Sequence, residues 1–457
     1  MYSIHTFLLQ KELFRSPEPV KTTVVSSFTD TPALQQIARQ ADSDYILFYT
    51  GTSPIELHPY AIGRMYQIAE SNDGALFYSD YQEIRQGKKI HHPTLEYQTG
   101  SIRNDFDFGQ LLLFRNDSFQ QVVAQMNTDY RFAALYELRL SISRLGKIVH
   151  IPETLYTVQP TDLRLSGEKQ FDYVDPANRE VQLEMEAVCT AHLQAIGAWL
   201  APEFQRIDFG QENFAREASV IIPVRNRKRT IAEAVESALQ QQTDFSFNVI
   251  VVDNHSTDGT GQILTELSRR YPNLIHHIPA STELGIGGCW TEAILLPECG
   301  KFAIQLDSDD LYKDCHVLQR IVDTFYQENC AMVIGSYQMV DFKLEEIPPG
   351  LIAHREWTPD NGRNNALRIN GLGAPRAFYT PVLRQIKFPN VSYGEDYATA
   401  LAISRKYPIA RIYDPLYLCR RWEENSDHDL DIQPLNNYHF YKDKIRTLEI
   451  QARISGK

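Results

Sequence analysis

The sequence lacks most of what would take it out of the ordinary globular class. No apolar run approaches the roughly 20 residues needed to cross a bilayer, and the opening stretch, Met1 to Ser16, breaks its one apolar patch with Lys11 and Glu12. Neither a secretory leader nor an anchor is expected. Cysteine is sparse: Cys189, Cys289, Cys299, Cys315, Cys330 and Cys419 form no Cys-x-x-Cys pair and share no zinc-like spacing with histidine. They read as reduced structural thiols of a cytosolic protein. Basic charge is also in deficit, with 45 Lys and Arg against 58 Asp and Glu and a formal charge of −13. That balance excludes a binder of duplex nucleic acid, which needs a basic stripe to displace counterions. A small anionic ligand is compatible with it, because a local cluster of donors or a metal ion in a cleft outweighs the global field.

What is present is a folded chain with more than one core. Its 457 residues exceed the size at which a single core keeps growing, and 43% hydrophobic with 23% charged residues is an ordinary globular balance. Within a first domain at residues 1–158, residues from about 20 to 158 alternate short β-rich runs (Thr22 to Ser26, Tyr45 to Tyr49, Ala75 to Ser79, Gly109 to Phe114) with helix-like stretches such as Ala61 to Glu70, the pattern of an α/β unit. Residues 159–216 read as a connector. Its pieces Pro160 to Asp162 and Gly167 to Lys169 are loop-like, whereas Val181, Met185, Val188, Ala195, Ile196 and Trp199 recur at helical spacing. Residues 217–426 form a second α/β domain. There Ser219 to Val224 predicts an apolar strand, Ile231, Val235, Ala238 and Leu239 one face of a helix, and Asn248 to Val252 a parallel strand buried on both faces. Residues 427–457 are expected to be a C-terminal helical tail.

Acidic motifs punctuate the second domain. The segment from Asp253 to Thr260 follows a strand at its carboxyl end, where open parallel sheets place ligands. A carboxylate there suits a nucleobase N–H or a ribose hydroxyl; the same segment also reads as an N-capped loop without a ligand. Asp307-Ser308-Asp309-Asp310 follows the strand-like run Lys301 to Leu306. Carboxylates so crowded repel one another unless a cation sits among them, and Mg2+ or Mn2+ favours such oxygens together with substrate phosphates. A solvated surface loop is the competing reading. Glu395-Asp396 opens a helical stretch, where a carboxylate is either a general base or a favourable contact with the helix dipole. Arg420-Arg421-Trp422 offers two guanidiniums suited to phosphate, a role that competes with solvation or salt bridging.

Taken in order, Val220-Ile221-Ile222-Pro223-Val224-Arg225-Asn226, Val251-Val252-Asp253-Asn254-His255-Ser256-Thr257-Asp258-Gly259-Thr260, Gln305-Leu306-Asp307-Ser308-Asp309-Asp310 and Gly394-Glu395-Asp396 resemble the family 2 glycosyltransferases, inverting enzymes of the α/β GT-A fold. The resemblance covers residues 217–426. It implies that Pro223, Val224, Arg225 and Asn226 line a nucleoside pocket, and that Asp253, with Asn254 and Ser256, reads the base. Gly285, Ser308, Arg420 and Arg421 would complete the donor site. Asp307 would lie against the ribose at the metal site, and Asp309 would bind the Mn2+ or Mg2+ ion that bridges the donor's phosphates. Asp396, with Glu395 adjoining it, would take the acceptor proton in a single inverting displacement. The acceptor would lie near Trp357, Gly373 and Glu395. Two positions depart from the family pattern. Trp290-Thr291 stand where relatives often carry Arg-Asn, and Trp422 stands where many carry a metal-completing histidine, leaving His428, or phosphate and water, for that place.

The first domain repeats part of the second. Asp44 to Ser53 parallels Lys301 to Asp310, and Ser143-Arg144 followed by Ile151 to Tyr156 parallels Ser404-Arg405 followed by Ile412 to Tyr417. On this match Asp307, Asp309 and Asp310 fall on Thr50, Thr52 and Ser53, weak ligands for a hard dication, and Asp396 falls on Leu135. Too few residues precede the match for a counterpart of Ser219 to Thr260. The copy is therefore expected to be a truncated GT-A-like domain without donor site, metal or base, which braces the catalytic domain or binds glycan through Tyr78 to Tyr97.

The whole reads as a glycosyltransferase moving a sugar from a nucleotide-diphosphate donor, expected to be a UDP-sugar, to a hydroxyl of a glycan or lipid-linked saccharide in cell-surface polysaccharide synthesis. A lipid-linked acceptor would bring a cytoplasmic enzyme to the inner face of the membrane as a peripheral protein. Two other classes compete. A catalytically silent nucleotide-sugar or glycan binder of the same fold gives no reason for Asp309 and Asp396 to persist in one copy only. A sugar nucleotidyltransferase would favour a glycine-rich loop where Pro223 to Lys228 has no glycine.

Overall fold

Strand Tyr45–Tyr49 is buried along its whole length because both its faces meet apolar side chains. Ile46 and Phe48 join one hydrophobic cluster, and Tyr45, Leu47 and Tyr49 join the other. It belongs to the first of two compact units in the computed structural model, Met1–Trp199 with Leu367–Ile369 and Leu430–Lys457; the second is Leu200–Ala366 with Asn370–Asp429. The described residues are 3–159, 178–210, 212–422 and 431–456. The expected loops at 160–162 and 167–169, and His428, lie outside them.

In the second unit nine strands form one mixed sheet. Their order is Leu274–His277, Phe247–Asp253, Ala218–Val224, Phe302–Gln305, Arg376–Tyr379, Met332–Val340, Ile409–Arg420 and Leu311–Tyr312, with Glu346–Ile352 paired to Met332–Val340. The first four are mutually parallel. Their carboxyl ends gather the loops that follow Val224, Asp253 and Gln305, which is where such sheets bind ligands. Pro223 is tolerated in a central strand because pairing with Phe302–Gln305 ends at Ile221, so its missing N–H falls beyond the ladder on that side. Helix Ile231–Leu239 buries Ile231, Ala234, Val235 and Ala238 as the first crossover.

The first unit repeats this order from its second strand onward, with no counterpart of Leu274–His277 among the described residues. Lys21–Val24, Ile4–Leu8, Tyr45–Tyr49, Leu111–Arg115, Gly74–Arg85, Lys147–Val158 and Ile55–Leu57 follow one another across its sheet, with Lys88–His92 on Gly74–Arg85. Strand directions agree pair by pair, and even the register does: Tyr81 pairs with Tyr156 as Tyr337 pairs with Tyr417. This corrects the expectation that the first two strands have no counterpart. Ile4–Leu8 and Lys21–Val24 occupy those positions, and what was lost is the connection. The segment between them holds one 3-10 turn, Lys11–Leu13, and the short strand Phe14–Arg15, in place of a loop and a full helix.

Two further expectations change. The connector helix exists, at Arg179–Ala195, but buries Gln182, Val188, Cys189, His192 and Leu193 in the first unit rather than the Val181, Met185 and Ala195 face. Polar residues occupy that face because they are satisfied there: Gln182 accepts from Arg368 Nη1 at 2.6 Å, and burial and the nearby Arg144 push the His192 imidazole down to about 4, keeping it neutral. The final helix, Ile432–Ile454, likewise belongs to the first unit. Its Asp443 is wholly buried and accepts from Arg103 Nε at 3.2 Å, Arg446 Nη1 at 2.8 Å and Ser101 Oγ at 3.0 Å. No helix among the described residues is long and apolar enough to cross a membrane.

Candidate active site

The two loops at the carboxyl ends of Ala218–Val224 and Phe247–Asp253 are fastened to each other. Asn226 takes a left-handed conformation at φ 55°, which an asparagine tolerates. Its N–H donates to Ser256 Oγ at 2.9 Å and its Oδ1 accepts from Thr257 N–H at 2.8 Å. Beyond it, Arg227 N–H reaches Thr260 Oγ1 at 2.9 Å and Lys228 N–H reaches Asp258 Oδ2 at 3.0 Å. Arg225 is exposed. Asp253 is buried, a setting that by itself raises a carboxyl, but hydrogen bonds from His276 and Ser256 hold it below its ordinary range. Asn254 donates through Nδ2 to Leu284 O at 2.7 Å, while its Oδ1 is buried without a partner.

The acidic run is divided among different partners. Both carboxylate oxygens of Asp307 accept from Gln305 Nε2, at 2.9 and 3.0 Å, and its N–H donates to Tyr417 Oη at 2.9 Å. Ser308 O accepts from Thr230 Oγ1 at 2.9 Å. Asp310 accepts from Arg420 N–H at 2.8 Å, and burial together with the Asp309 and Asp307 charges drives its carboxyl well above the usual range. Asp309 Oδ2 accepts from Trp422 Nε1 at 3.2 Å and lies 3.7 Å from Arg227 Nε. Arg420, expected to meet phosphate, is buried and braces this loop: its Nε donates to Asp309 O and its Nη1 to Glu233. Arg421 joins through its N–H to Val340 O at 2.9 Å.

On the facing side, Arg376 pairs through Nη1 with Asp396 Oδ2. Arg376 is fixed by Nε to Gly373 O at 2.8 Å and by its backbone N–H to Gln305 Oε1 at 3.1 Å. Gln305 thus touches both Asp307 and Arg376. Glu395 is only 8% exposed and its Oε2 lacks a partner; burial, and then the Asp396 charge, push its carboxyl up to about 8.

Two expected ligand contacts turn out to be packing. Gly285 donates to Asn390 Oδ1 at 2.7 Å, and a Cβ on it would meet the Val391 backbone at 2.6 Å, so close approach explains the glycine. Trp357 is 7% exposed with its ring against Gly362, where a Cβ would come within 2.6 Å, and offers no free face for a sugar. Gly373 sits at φ 98° under His354, and its carbonyl orients Arg376. Sequence reasoning missed Arg376, which belongs to no motif, and gave Arg227 no role within the basic run Pro223 to Lys228. Gln305 and Tyr417 lay inside quoted strings without an assigned role.

Among the described residues, no three His, Cys, Asp or Glu side chains converge as a metal site. Asp309 fits as a single anchor, since Mg2+ and Mn2+ commonly take one or two carboxylates and complete their shell with phosphate oxygens and water. Asp307 fits less well, both its oxygens being held by Gln305.

Parallel strands with polar loops at their carboxyl ends, an acidic run at the fourth, and a facing helix that opens on two carboxylates are the features of an α/β domain of the GT-A type. The sequence model described as Glycosyl transferase family 2 matches residues 219–386, and this stretch of the chain is similar to that family. An uncharacterized glycosyltransferase of Nostoc is 32% identical over 123 residues, 27% of this chain and 37% of that protein. The poly(ribitol-phosphate) beta-glucosyltransferase of Bacillus spizizenii is 24% identical over 238 residues, 50% of this chain and 36% of that protein. A putative teichuronic acid biosynthesis glycosyltransferase of Bacillus subtilis is 26% identical over 195 residues, 42% of this chain and 74% of that protein. The chain spans little more than a third of the length of the first two relatives, at 37% and 36%.

Proposed function

We propose that the second unit transfers a sugar, with inversion, from a UDP-sugar to a hydroxyl of a cell-surface polysaccharide or its lipid-linked precursor. One observation carries the reading: Gln305 joins the donor-side carboxylate, Asp307, to Arg376, which pairs with Asp396. Donor and base are thereby fixed in one frame, and such positioning of reacting groups is a major part of group-transfer catalysis. The nucleoside lies in the fastened loops of Asn226 and Ser256, with the unpartnered Asn254 Oδ1 available to it. A divalent cation held by Asp309 would neutralise charge on the departing diphosphate. Asp396 accepts the acceptor's proton, with Arg376 fixing the carboxylate. Glu395, neutral near pH 7, donates to an acceptor or donor hydroxyl. The acceptor class is supported by the relatives named for poly(ribitol phosphate) and teichuronic acid.

The test is a thermal-shift and turnover screen of nucleotide sugars with and without Mn2+. The reading expects stabilisation by one UDP-sugar and release of UDP when a polysaccharide acceptor is added. Binding without transfer to any acceptor would favour the silent binder, and formation of a nucleotide sugar from sugar phosphate the nucleotidyltransferase.

A further inference from the structure

The chain reaches Glu395 and Asp396 through a strap, Pro389 to Ser392, that lies across the start of helix Ile286–Leu295. Three of the four residues Gly285-Ile286-Gly287-Gly288 are glycine, and the strap fills the space of each missing side chain. A Cβ on Gly285 would meet the Val391 backbone at 2.6 Å, one on Gly287 would overlap the Pro389 carbonyl and come within 3.0 Å of Glu395 Cβ, and one on Gly288 would overlap Asn390 Oδ1. The glycines form a seat for the strap, since only a residue without a side chain permits so close an approach. The N–H groups that open a helix have no partner within it, and here the strap supplies one for each. Gly285 N–H donates to Asn390 Oδ1 at 2.7 Å, Ile286 N–H to Ser392 Oγ at 3.3 Å and Gly287 N–H to Val391 O at 2.9 Å. Asn390 closes the joint on its other side, its Nδ2 donating to Glu283 O at 3.2 Å.

Both ends of this joint lead to the reaction. Leu284, between Glu283 and Gly285, accepts through its carbonyl from Asn254 Nδ2 at 2.7 Å, and Asn254 lines the proposed nucleoside pocket. At the other end Gly394, at φ 76°, turns the strap into helix Glu395–Ser404, whose second residue is Asp396. Asn390 is exposed, so its side chain fills no part of the core, and its two hydrogen bonds are what it contributes. We infer that Asn390 is a positioning residue for the transfer: it locks the strap onto the glycine seat and thereby holds Asp396 at a fixed place relative to the nucleoside pocket. This rests on the reading of Asp396 as the base. A base that drifts by about 1 Å loses on the order of 10²-fold in rate, which makes a single well-placed amide outside the reacting groups matter.

The experiment measures sugar transfer by the full chain from the UDP-sugar that stabilises it, together with UDP binding by calorimetry in the same buffer. Asn390→Ala is expected to lower kcat by about 10²-fold, with UDP affinity unchanged. Asn390→Asp keeps an acceptor for the Gly285 N–H and is expected to recover most of the rate. Gly288→Ala leaves Asn390 in the chain but pushes its side chain off the seat, and is expected to reproduce the loss. In the Asp396→Asn background, Asn390→Ala is expected to lower the residual rate no further, because a residue that acts through the base then has nothing to position. A purely structural role would not give that non-additivity. Undiminished kcat in Asn390→Ala, a loss that multiplies in full with that of Asp396→Asn, or a matching loss of UDP affinity overturns the inference. If wild type transfers sugar and Asn390→Ala equals it, the inference falls and the reading of Asp396 stands; if wild type transfers none, or Asp396→Asn keeps the wild-type rate, that reading falls and the inference with it.

Discussion

Arg376 and Asp396 form an ion pair in the second unit at positions that the first unit fills with Leu112 and Leu135. Both leucines belong to the apolar side of the first unit, Leu112 buried and Leu135 packed on the same cluster. The two copies therefore share a sheet and differ in whether this spot is chemistry or core. If Arg376 fixes the base, Arg376→Ala should lower kcat by about 10²-fold with a smaller change in KM, and Arg376→Lys should recover part of it. Steady-state kinetics on the two variants checks this; equal loss in kcat and KM would indicate a lost binding contact instead.

Glu395 gives a pH signature. Folded, it keeps its proton up to about 8; its ordinary value is 4.5. Between those values the folded state binds more protons than the unfolded one. Its contribution to stability is present below the lower value and is lost as pH rises through the upper. Glu395→Gln stays neutral throughout. The variant should therefore gain Tm over wild type as the pH is raised to about 9 and match it near pH 5, as read by thermal denaturation across that range.

Among the described residues, Asp309 is expected to be the carboxylate on which cation binding depends. Asp309→Ala should abolish the Mn2+-dependent rise in Tm while leaving nucleoside binding intact. Asp307→Asn, whose Gln305 contacts reorganise, should lower donor affinity without abolishing the Mn2+ response. Calorimetric titration of MnCl2 in the presence of UDP distinguishes the two.

The final helix is held by a buried charge network, so Asp443→Ala should destabilise the first unit by about 3–5 kcal/mol, because Arg103 and Arg446 would be left buried without their carboxylate. Urea unfolding gives the value. A change below about 1 kcal/mol, as for an exposed pair, would mean that water replaces the carboxylate.

The parallel strands and the acidic motifs were legible because both leave local marks: uninterrupted β-branched runs, and crowded carboxylates where a strand ends. Strand Ile4–Leu8 was overlooked, and the β-rich run Thr22 to Ser26, which overlaps strand Lys21–Val24, was not recognised as a counterpart, because the shortened connection between the two carries no helix to announce a crossover. The connector helix was recognised from periodicity but assigned the wrong face, since Gln182 and His192 are buried by virtue of partners far away in sequence. Arg376 left no local trace either; its importance comes from Gln305, Gly373 and Asp396, which only the fold assembles. Arg420 and Trp357 show the reverse error, residue types suited to phosphate and sugar that the fold uses for bracing and packing.

The central claim is that Asp396 is the base of a transfer whose donor site stands independently of it. The most direct measurement compares Asp396→Asn with wild type for UDP-sugar binding and for sugar transfer under the same conditions. The account predicts unchanged donor affinity with turnover reduced by about 10²- to 10⁴-fold, the range of positioned base catalysis. Turnover near wild type with the true acceptor would contradict it.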